Sequence, residues 1–208
     1  NTKGILAYKR AADALLKILP LGISHPIAGD LLAVTKLSLE AVADSNTELF
    51  EQLDPDDFFY HVRPYYKPYY VGSHVYRGAN AGDFAGINVV DLLLGLCFAN
   101  EPYYAQILVD KFLYMMPEDQ DMLRDCMRRS SLMDDFISNI PNANQSWFQT
   151  NLRLFLEVCA SHGATANQHQ EMLVQKYIVA PSQTLASQHL KSITASGPPL
   201  DELIDGLK

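Results

Sequence analysis

The sequence predicts an all-α fold, and three observations lead to that prediction. Apolar residues recur at helical spacing in almost every part of the chain, and prolines stand where the helical runs begin or stop. No stretch alternates with a period of two for long enough to indicate a strand. With 208 residues, of which 48% are hydrophobic and 19% charged, the chain can form a sizeable core. We expect a single helical domain over residues 1–208.

The first half of the chain contains two long predicted helices and one short one. The first long helix stops at Pro20, and the second covers residues 31–53 and ends at Asp54-Pro55. Asp56 or Asp57 is expected to cap the short helix, which must halt before Pro64. Residues 64–82 are rich in Tyr, Pro and Gly and have no helical period. Loops of this length in compact chains are usually functional or mobile.

Helices follow one another in the second half, from an expected N-cap at Asp83 onward. Pro102 and Pro117 suit the first turns of two helices, and Ser130 or Ser131 is expected to open a third. The last predicted helices are residues 145–161, interrupted by Gly163, then residues 167–180, and a short terminal helix over residues 200–207.

Composition excludes several classes of partner. Sixteen basic and 24 acidic residues give a net charge of −8, which repels phosphate backbones, so we expect no nucleic-acid partner. The most apolar window, residues 89–99, contains Asp91 and is shorter than the roughly 20 residues of a membrane helix, so no membrane is expected. Cys97, Cys126 and Cys159 are widely spaced, which is typical of buried thiols in a reducing compartment. The expected localisation is cytoplasmic.

Two histidines lie on apolar helical stripes. His169 shares its stripe with Met172 and Tyr177, so we expect its side chain to point inward. His162 follows Cys159 by three residues on the preceding stripe. A buried neutral imidazole can be a satisfied core group, a base or a metal ligand, and a haem iron requires only one axial imidazole. The pattern alone leaves these alternatives open.

Arg63 and the loop of small residues after it are candidates for ligand contacts. Arg63 stands among aromatic residues that include Phe58, and a guanidinium in such a setting can bind a carboxylate bidentately. A structural ion pair is the alternative. Gly78-Ala79-Asn80-Ala81-Gly82 leads into a helix N-terminus and could let a flat cofactor or an anion approach backbone N–H groups. A tight loop without a ligand would need the same residues.

Taken together, several stretches resemble the indoleamine 2,3-dioxygenase superfamily of haem proteins, and its bacterial branch in particular. They occur in the family's order over nearly the whole chain, at residues 11–20, 54–63, 78–96, 115–117 and 176–182. The resemblance implies a multi-helical, haem-binding large domain of the indoleamine 2,3-dioxygenase type, with haem b as the cofactor. Such domains usually have an additional N-terminal region. Because the chain starts at Asn1 without Met, we expect that region to be missing from it.

The resemblance also implies roles for individual residues. His169 takes the place of the proximal haem ligand, although the match needs a one-residue shift before Lys176, and His162 is the runner-up. Arg63 falls where the family binds the substrate carboxylate, and Phe58 falls where it packs an indole ring. Five residues would lie over the haem, namely Gly78, Ala79, Asn80, Ala81 and Gly82.

Two departures from the family pattern concern the substrate side of the haem. Ile5 falls near the distal position where some members have serine, and it has no proton to exchange. Residues 195–199, Ala-Ser-Gly-Pro-Pro, replace the Thr-Gly-Gly-Thr loop that closes over substrate in kynurenine-forming members. Substrate preference is therefore expected to differ from free tryptophan.

The implied function is that of a haem b-dependent oxygenase acting on tryptophan or a related indole amino acid. Dioxygen insertion and oxidative rearrangement of the indole are both consistent with the resemblance. The alternatives are a haem-binding or sensor protein of the same fold without turnover, and a haem-free helical interaction protein. The expected partners are a small indole substrate and dioxygen. An N-terminal fragment of the same protein, or a second copy in a homo-oligomer, is a further expected partner.

Overall fold

The fold is given by a computed structural model that describes residues 2–62, 69–76 and 82–180. Its elements, in chain order, are α1 Thr2–Leu21, α2 Ala28–Gln52, α3 Pro55–Asp57, a π-helical turn Phe58–Val62, β1 Tyr69–Val71, β2 His74–Tyr76, α4 Ala85–Leu94, α5 Pro102–Phe112, α6 Pro117–Cys126, α7 Leu132–Ser138, a 3-10 turn Ile140–Asn142, α8 Ser146–Gln168 and a π-helical segment His169–Val179. The prediction of an all-α fold is confirmed. None of the described helices combines the length and the apolar character needed to cross a membrane.

The chain groups into two compact units. The first consists of Asn1–Ser45 and Gly82–Thr165, and the second of Asn46–Ala81 and Ala166–Lys208. Helices α2 and α8 each contribute residues to both units. The expectation of a single domain over residues 1–208 stays a prediction.

Helix α4 lies at the centre of the first unit, where it packs against α1, α6 and α7. Its residues Val89, Val90, Leu93 and Leu94 are almost completely buried, and their i, i+1, i+4, i+5 spacing places them on one broad apolar face. This face packs into the core of the first unit, and the polar side chains of Asn88 and Asp91 are also largely covered, which is consistent with the central position of the helix. The core is completed by aromatic packing between α7 and α8, where the rings of Phe136 and Phe155 lie 4.8 Å apart.

Side-chain caps set several helix boundaries. The prediction of a cap at Ser131 is confirmed, because Ser131 Oγ accepts from the Asp134 N–H at 3.1 Å and the Asp134 carboxylate accepts from the Ser131 N–H at 2.8 Å. This capping box satisfies two N–H groups that the helix leaves unpaired. Hydrogen bonds from Ser131 also lower the pKa of Asp134. At the start of α5, the Glu101 carboxylate accepts from two backbone N–H groups.

The caps of two other helices differ from the sequence predictions. Asp54, not Asp56 or Asp57, caps α3, since its side chain accepts from the N–H groups of both. Pro55 explains the difference, because a proline at the first helical position starts the helix one residue after Asp54. The expected cap of α4 at Asp83 is also wrong, since the N-cap position is held by Phe84 without a side-chain hydrogen bond.

Gly163 does not interrupt the last long helix. Helix α8 continues through it to Gln168, so the prediction of two separate helices here is wrong. Glycine in a helix interior costs only about 1 kcal/mol relative to alanine. Nothing lies within 4 Å of a Cβ placed at Gly163, so no steric conflict forces the chain to turn there.

A short β-hairpin occupies part of the segment for which no strand was predicted. Strands β1 and β2 pair antiparallel, with Tyr69 opposite Tyr76 and Val71 opposite His74, and Gly72 supplies the positive φ of 62° in the turn. Each strand has three residues, all exposed. So short a strand gives no detectable alternation in the sequence. The predicted terminal helix over residues 200–207 and the stretch 195–199 lie outside the described residues.

Candidate functional site

His169 is the first residue of the π-helical segment that continues α8. Its side chain is exposed, so the expectation that it points inward is wrong. The reason is the change of helix type. A π-helix closes its hydrogen bonds from i to i+5, so the stripe counted at 3.6 residues per turn loses its phase after Gln168.

In the resemblance described above, the spacing from His169 to Lys176 differs by one residue from the family pattern. The π-helical segment offers a physical basis for this difference. A π-helical turn holds one residue more than an α-helical turn, and an extra residue in a helix is commonly accommodated in this way. Such turns are frequent at functional sites. The segment His169–Val179 spans the whole interval in which the shift occurs.

Tyr177 fixes the π-helical segment to the end of α2. Its ring is almost completely buried, and its hydroxyl lies 2.8 Å from the carbonyl oxygens of Phe50 and of Leu53. Because a phenol has one proton, the two carbonyls share a single donor. Lys176 Nζ donates to the same Phe50 carbonyl at 3.3 Å. These contacts anchor the segment that begins at His169.

Phe58 lies against this segment in the second unit. It begins the π-helical turn after α3, is half-buried, and meets the Tyr177 ring edge-on with 5.7 Å between the centroids. The structure therefore brings together Phe58 and the segment that carries His169, two of the predicted site elements. Arg63 follows this turn directly and lies outside the described residues.

The loop of small residues is described only at its end. Gly82 is half-buried just before α4, whereas Gly78, Ala79, Asn80 and Ala81 lie outside the described residues. Ile5, predicted near the distal position, lies in α1 and is half-buried.

His162, the alternative ligand, is buried in the first unit and already bonded. Its Nε2 donates to Asp91 Oδ1 at 2.7 Å, and the side chains of the two residues are 7% and 14% exposed. Its ring meets the ring of Tyr8 edge-on at 6.0 Å. Nδ1 is buried, and none of the described residues is its hydrogen-bond partner. Both ring nitrogens are therefore enclosed by protein.

Asp91 connects His162 to a chain of polar side chains from α4 and α5. Its second oxygen accepts from the Tyr104 hydroxyl at 2.8 Å, and Asn88 Nδ2 donates to the same hydroxyl at 3.0 Å. Lys111 Nζ donates to Asn88 Oδ1 at 3.0 Å. Burial and the Asp91 charge raise the pKa of Tyr104. Sequence reasoning missed this network, although an acidic residue inside the most apolar window was a signal for it.

Tyr8 joins the network from α1. Thr165 donates its hydroxyl proton to the carbonyl of His162 at 2.7 Å, so the Tyr8 hydroxyl must donate to Thr165 Oγ1, 2.8 Å away. Burial raises the pKa of Tyr8 to about 12. The phenol consequently remains a donor at neutral pH.

The residues differ in how well they fit a haem iron. The described residues contain no group of three or more His, Cys, Asp or Glu side chains that could hold a metal ion by themselves. Haem needs one axial imidazole only. His169 presents an exposed imidazole on an anchored segment, whereas His162 is enclosed and its Nε2 is bonded to Asp91. The imidazole of His169 is of the donor type that a haem iron takes, and its assignment to that role stays a prediction.

The family comparison agrees with the fold. The all-α architecture is that of an indoleamine 2,3-dioxygenase-like enzyme, which is the fold class that the motifs predicted. The chain belongs to the monodechloroaminopyrrolnitrin synthase PrnB family, which it matches over residues 1–208. The resemblance to the bacterial branch of the superfamily is thereby confirmed. No curated protein matches the chain.

Proposed function

We propose that the protein is a haem b-dependent oxygenase that acts on tryptophan or a related indole amino acid. The reaction either inserts dioxygen into the indole or rearranges it oxidatively. The observation that carries this proposal is the family match over all 208 residues. The position of Phe58 against the segment that starts at His169 supports it, because the proposed indole contact and the proposed iron ligand then belong to one unit.

His169 is the residue we assign to the iron, and Gly78–Gly82 the segment we assign to the haem face. When bound, the haem supplies the binding and activation of dioxygen, while the protein supplies the axial imidazole, orientation and exclusion of water. The buried Tyr177 stabilises the His169 segment through the two carbonyls at the end of α2. The ligand is therefore proposed to lie on an anchored segment.

Phe58 and Arg63 are the residues we assign to the substrate. A half-buried phenylalanine offers an apolar surface on which an indole can pack, and the Tyr177 ring supports it from the side. A guanidinium can bind the amino-acid carboxylate through two parallel hydrogen bonds, worth about 1.5–3 kcal/mol. Ile5 cannot exchange a proton, so we assign no protein base at the distal position.

Turnover of L-tryptophan and halogenated tryptophans by the haem-loaded protein under reducing conditions tests the proposal. We expect an oxygenated or rearranged indole product, detected by mass spectrometry with labelled dioxygen. Arg63→Lys keeps the charge but loses the bidentate geometry, so KM should rise about tenfold or more. Arg153→Lys is the matched control, since Arg153 is exposed and paired with Glu157 at 2.6 Å.

Two outcomes would contradict the proposal. Absence of product from every indole, in protein that holds haem, would reject the enzyme and favour a haem-binding or sensor protein. Unchanged substrate binding in Arg63→Lys and Arg63→Ala would reject the assigned role of Arg63.

A further inference from the structure

An open surface groove lies at the C-terminal end of α6. Its volume is about 300 Å³, at the lower end of the range for small-molecule sites, and all its lining residues belong to the first unit. They are Ala99, Asn100, Phe112, Arg124, Met127 and Arg128. None of them has a role in the function proposed above.

The positive charge of Arg128 in this groove is unusual for an acidic chain, because no described carboxylate pairs with it. Arg124 donates to Asp121 Oδ1 at 2.9 Å, and Arg129 donates to Asp125 Oδ2 at 2.7 Å. Arg128, which lies between these two arginines in the sequence, is exposed. It makes no ion pair within the part of the chain that the structure describes. Both nearby aspartates are thus already engaged.

The groove also has an apolar part, and the side chain of Arg124 beside it is held in place. The Arg124 guanidinium lies over the Phe112 ring, 4.8 Å from its centroid, and a second hydrogen bond of 3.0 Å to Gln120 holds it there. Phe112 and Met127 are half-buried. They form an apolar surface, which is bordered by the amide of Asn100.

Glu101, which directly follows the lining residue Asn100, is also held by hydrogen bonds. The carboxylate of Glu101 accepts from the N–H groups of Tyr103 and Tyr104 at the start of α5, at 3.1 and 2.6 Å. Within the described residues it forms no ion pair with Arg128, so Arg128 is left for an external anion.

We propose that this groove binds a small monocarboxylate with a planar apolar body, such as an arylcarboxylate. The carboxylate pairs with the fork of Arg128, the planar body packs on Met127 and on the stacked Arg124–Phe112 pair, and Asn100 contributes a polar contact at the rim. A charge-assisted, bidentate contact supplies the specificity for the carboxylate, and the apolar surface supplies the preference for an aromatic body. The proposal requires no haem, because none of the lining residues is assigned to it.

Titration of the protein with benzoate, followed by NMR of the arginine side chains and the methionine methyl groups, tests the proposal. We expect shifts at Arg128 and Met127, and no binding of the neutral isostere benzamide. Arg128→Gln should weaken benzoate binding about tenfold or more. Arg153→Gln is the matched control, because it removes the same charge from an exposed arginine that does not line the groove and leaves the Arg129–Asp125 pair intact. It should bind benzoate like the unmodified protein.

Inorganic phosphate separates an anion site from an arylcarboxylate site. We expect phosphate to shift Arg128 without shifting Met127. The proposal is overturned if benzamide binds as well as benzoate, if Arg153→Gln loses as much affinity as Arg128→Gln, or if benzoate leaves Met127 unaffected. Both variants change exposed side chains, and circular dichroism establishes that they are folded.

Discussion

At the scale of single residues, the buried pair of Asp91 and His162 is the feature on which stability depends most directly. Asp91→Ala leaves the Nε2–H of His162 and the hydroxyl of Tyr104 without their acceptor. Leaving a buried donor without its acceptor typically costs about 1–3 kcal/mol. We expect the free energy of unfolding, measured by urea denaturation, to fall by that amount.

Asp125→Ala is the control for this prediction. Asp125 forms an ion pair with Arg129, but both side chains are about half exposed, at 54% and 49%. Exposed pairs contribute little, so the urea midpoint should barely move. Equal losses in the two variants would mean that burial of the Asp91 pair has no energetic consequence.

The three cysteines give a second prediction for single residues. Burial raises the pKa of Cys97, Cys126 and Cys159 to about 11, with the Asp91 charge adding to the effect at Cys97. Since the thiolate is the reactive form, all three should react slowly with a disulfide reagent at about pH 8 and rapidly after unfolding in urea. One thiol that reacts at the unfolded rate in the native protein would contradict this.

Single residues also show what sequence can and cannot predict about the site. Burial of His162 follows from its apolar stripe and is observed, but the partner that it meets, Asp91, is 71 residues away and was not predicted. Exposure of His169 was missed because the stripe was counted with an α-helical period. The roles of His169, Arg63 and Phe58 stay predictions, since they rest on motif correspondence.

At the scale of secondary-structure elements, two glycines should respond in opposite ways to alanine. Gly95 ends α4 with φ of 72°, and a Cβ there would lie 2.7 Å from Ser131 Oγ. Gly163 lies inside α8 with nothing within 4 Å of an added Cβ. Gly95→Ala should destabilise the protein by more than about 1 kcal/mol, and Gly163→Ala should stabilise it by about 0.5–1 kcal/mol. Urea denaturation measures both, and a shift of the same sign would contradict the expectation.

The elements that sequence predicted well are those that a local signal determines. Proline at the first turn and a Ser–Asp capping box locate α5, α6 and α7 because these signals act within four residues. The π-helical segments and the hairpin were missed for a different reason. The hydrogen bonding of a π-helix leaves no distinct periodicity of apolar residues in the sequence. A strand of three residues is too short to show an alternation.

At the scale of the whole molecule, the order of motifs along the chain was more informative than any one of them. A loop of small residues or a Lys-Tyr-Ile stretch alone occurs in many folds. Their succession from residue 11 to residue 182 indicated the superfamily, and the family match confirms it. The grouping into two units was not predicted, because it depends on contacts between residues far apart in the chain.

The central claim is that His169 holds a haem iron. The absorption spectrum of the protein after addition of haemin and ascorbate tests it most directly, with His169→Gly and His162→Gln compared under the same conditions. We predict a Soret band typical of an axial imidazole in the unmodified protein and in His162→Gln. In His169→Gly this band should be lost, and added imidazole should restore it. Absence of the band in the folded unmodified protein, or its persistence unchanged in His169→Gly, would contradict the assignment.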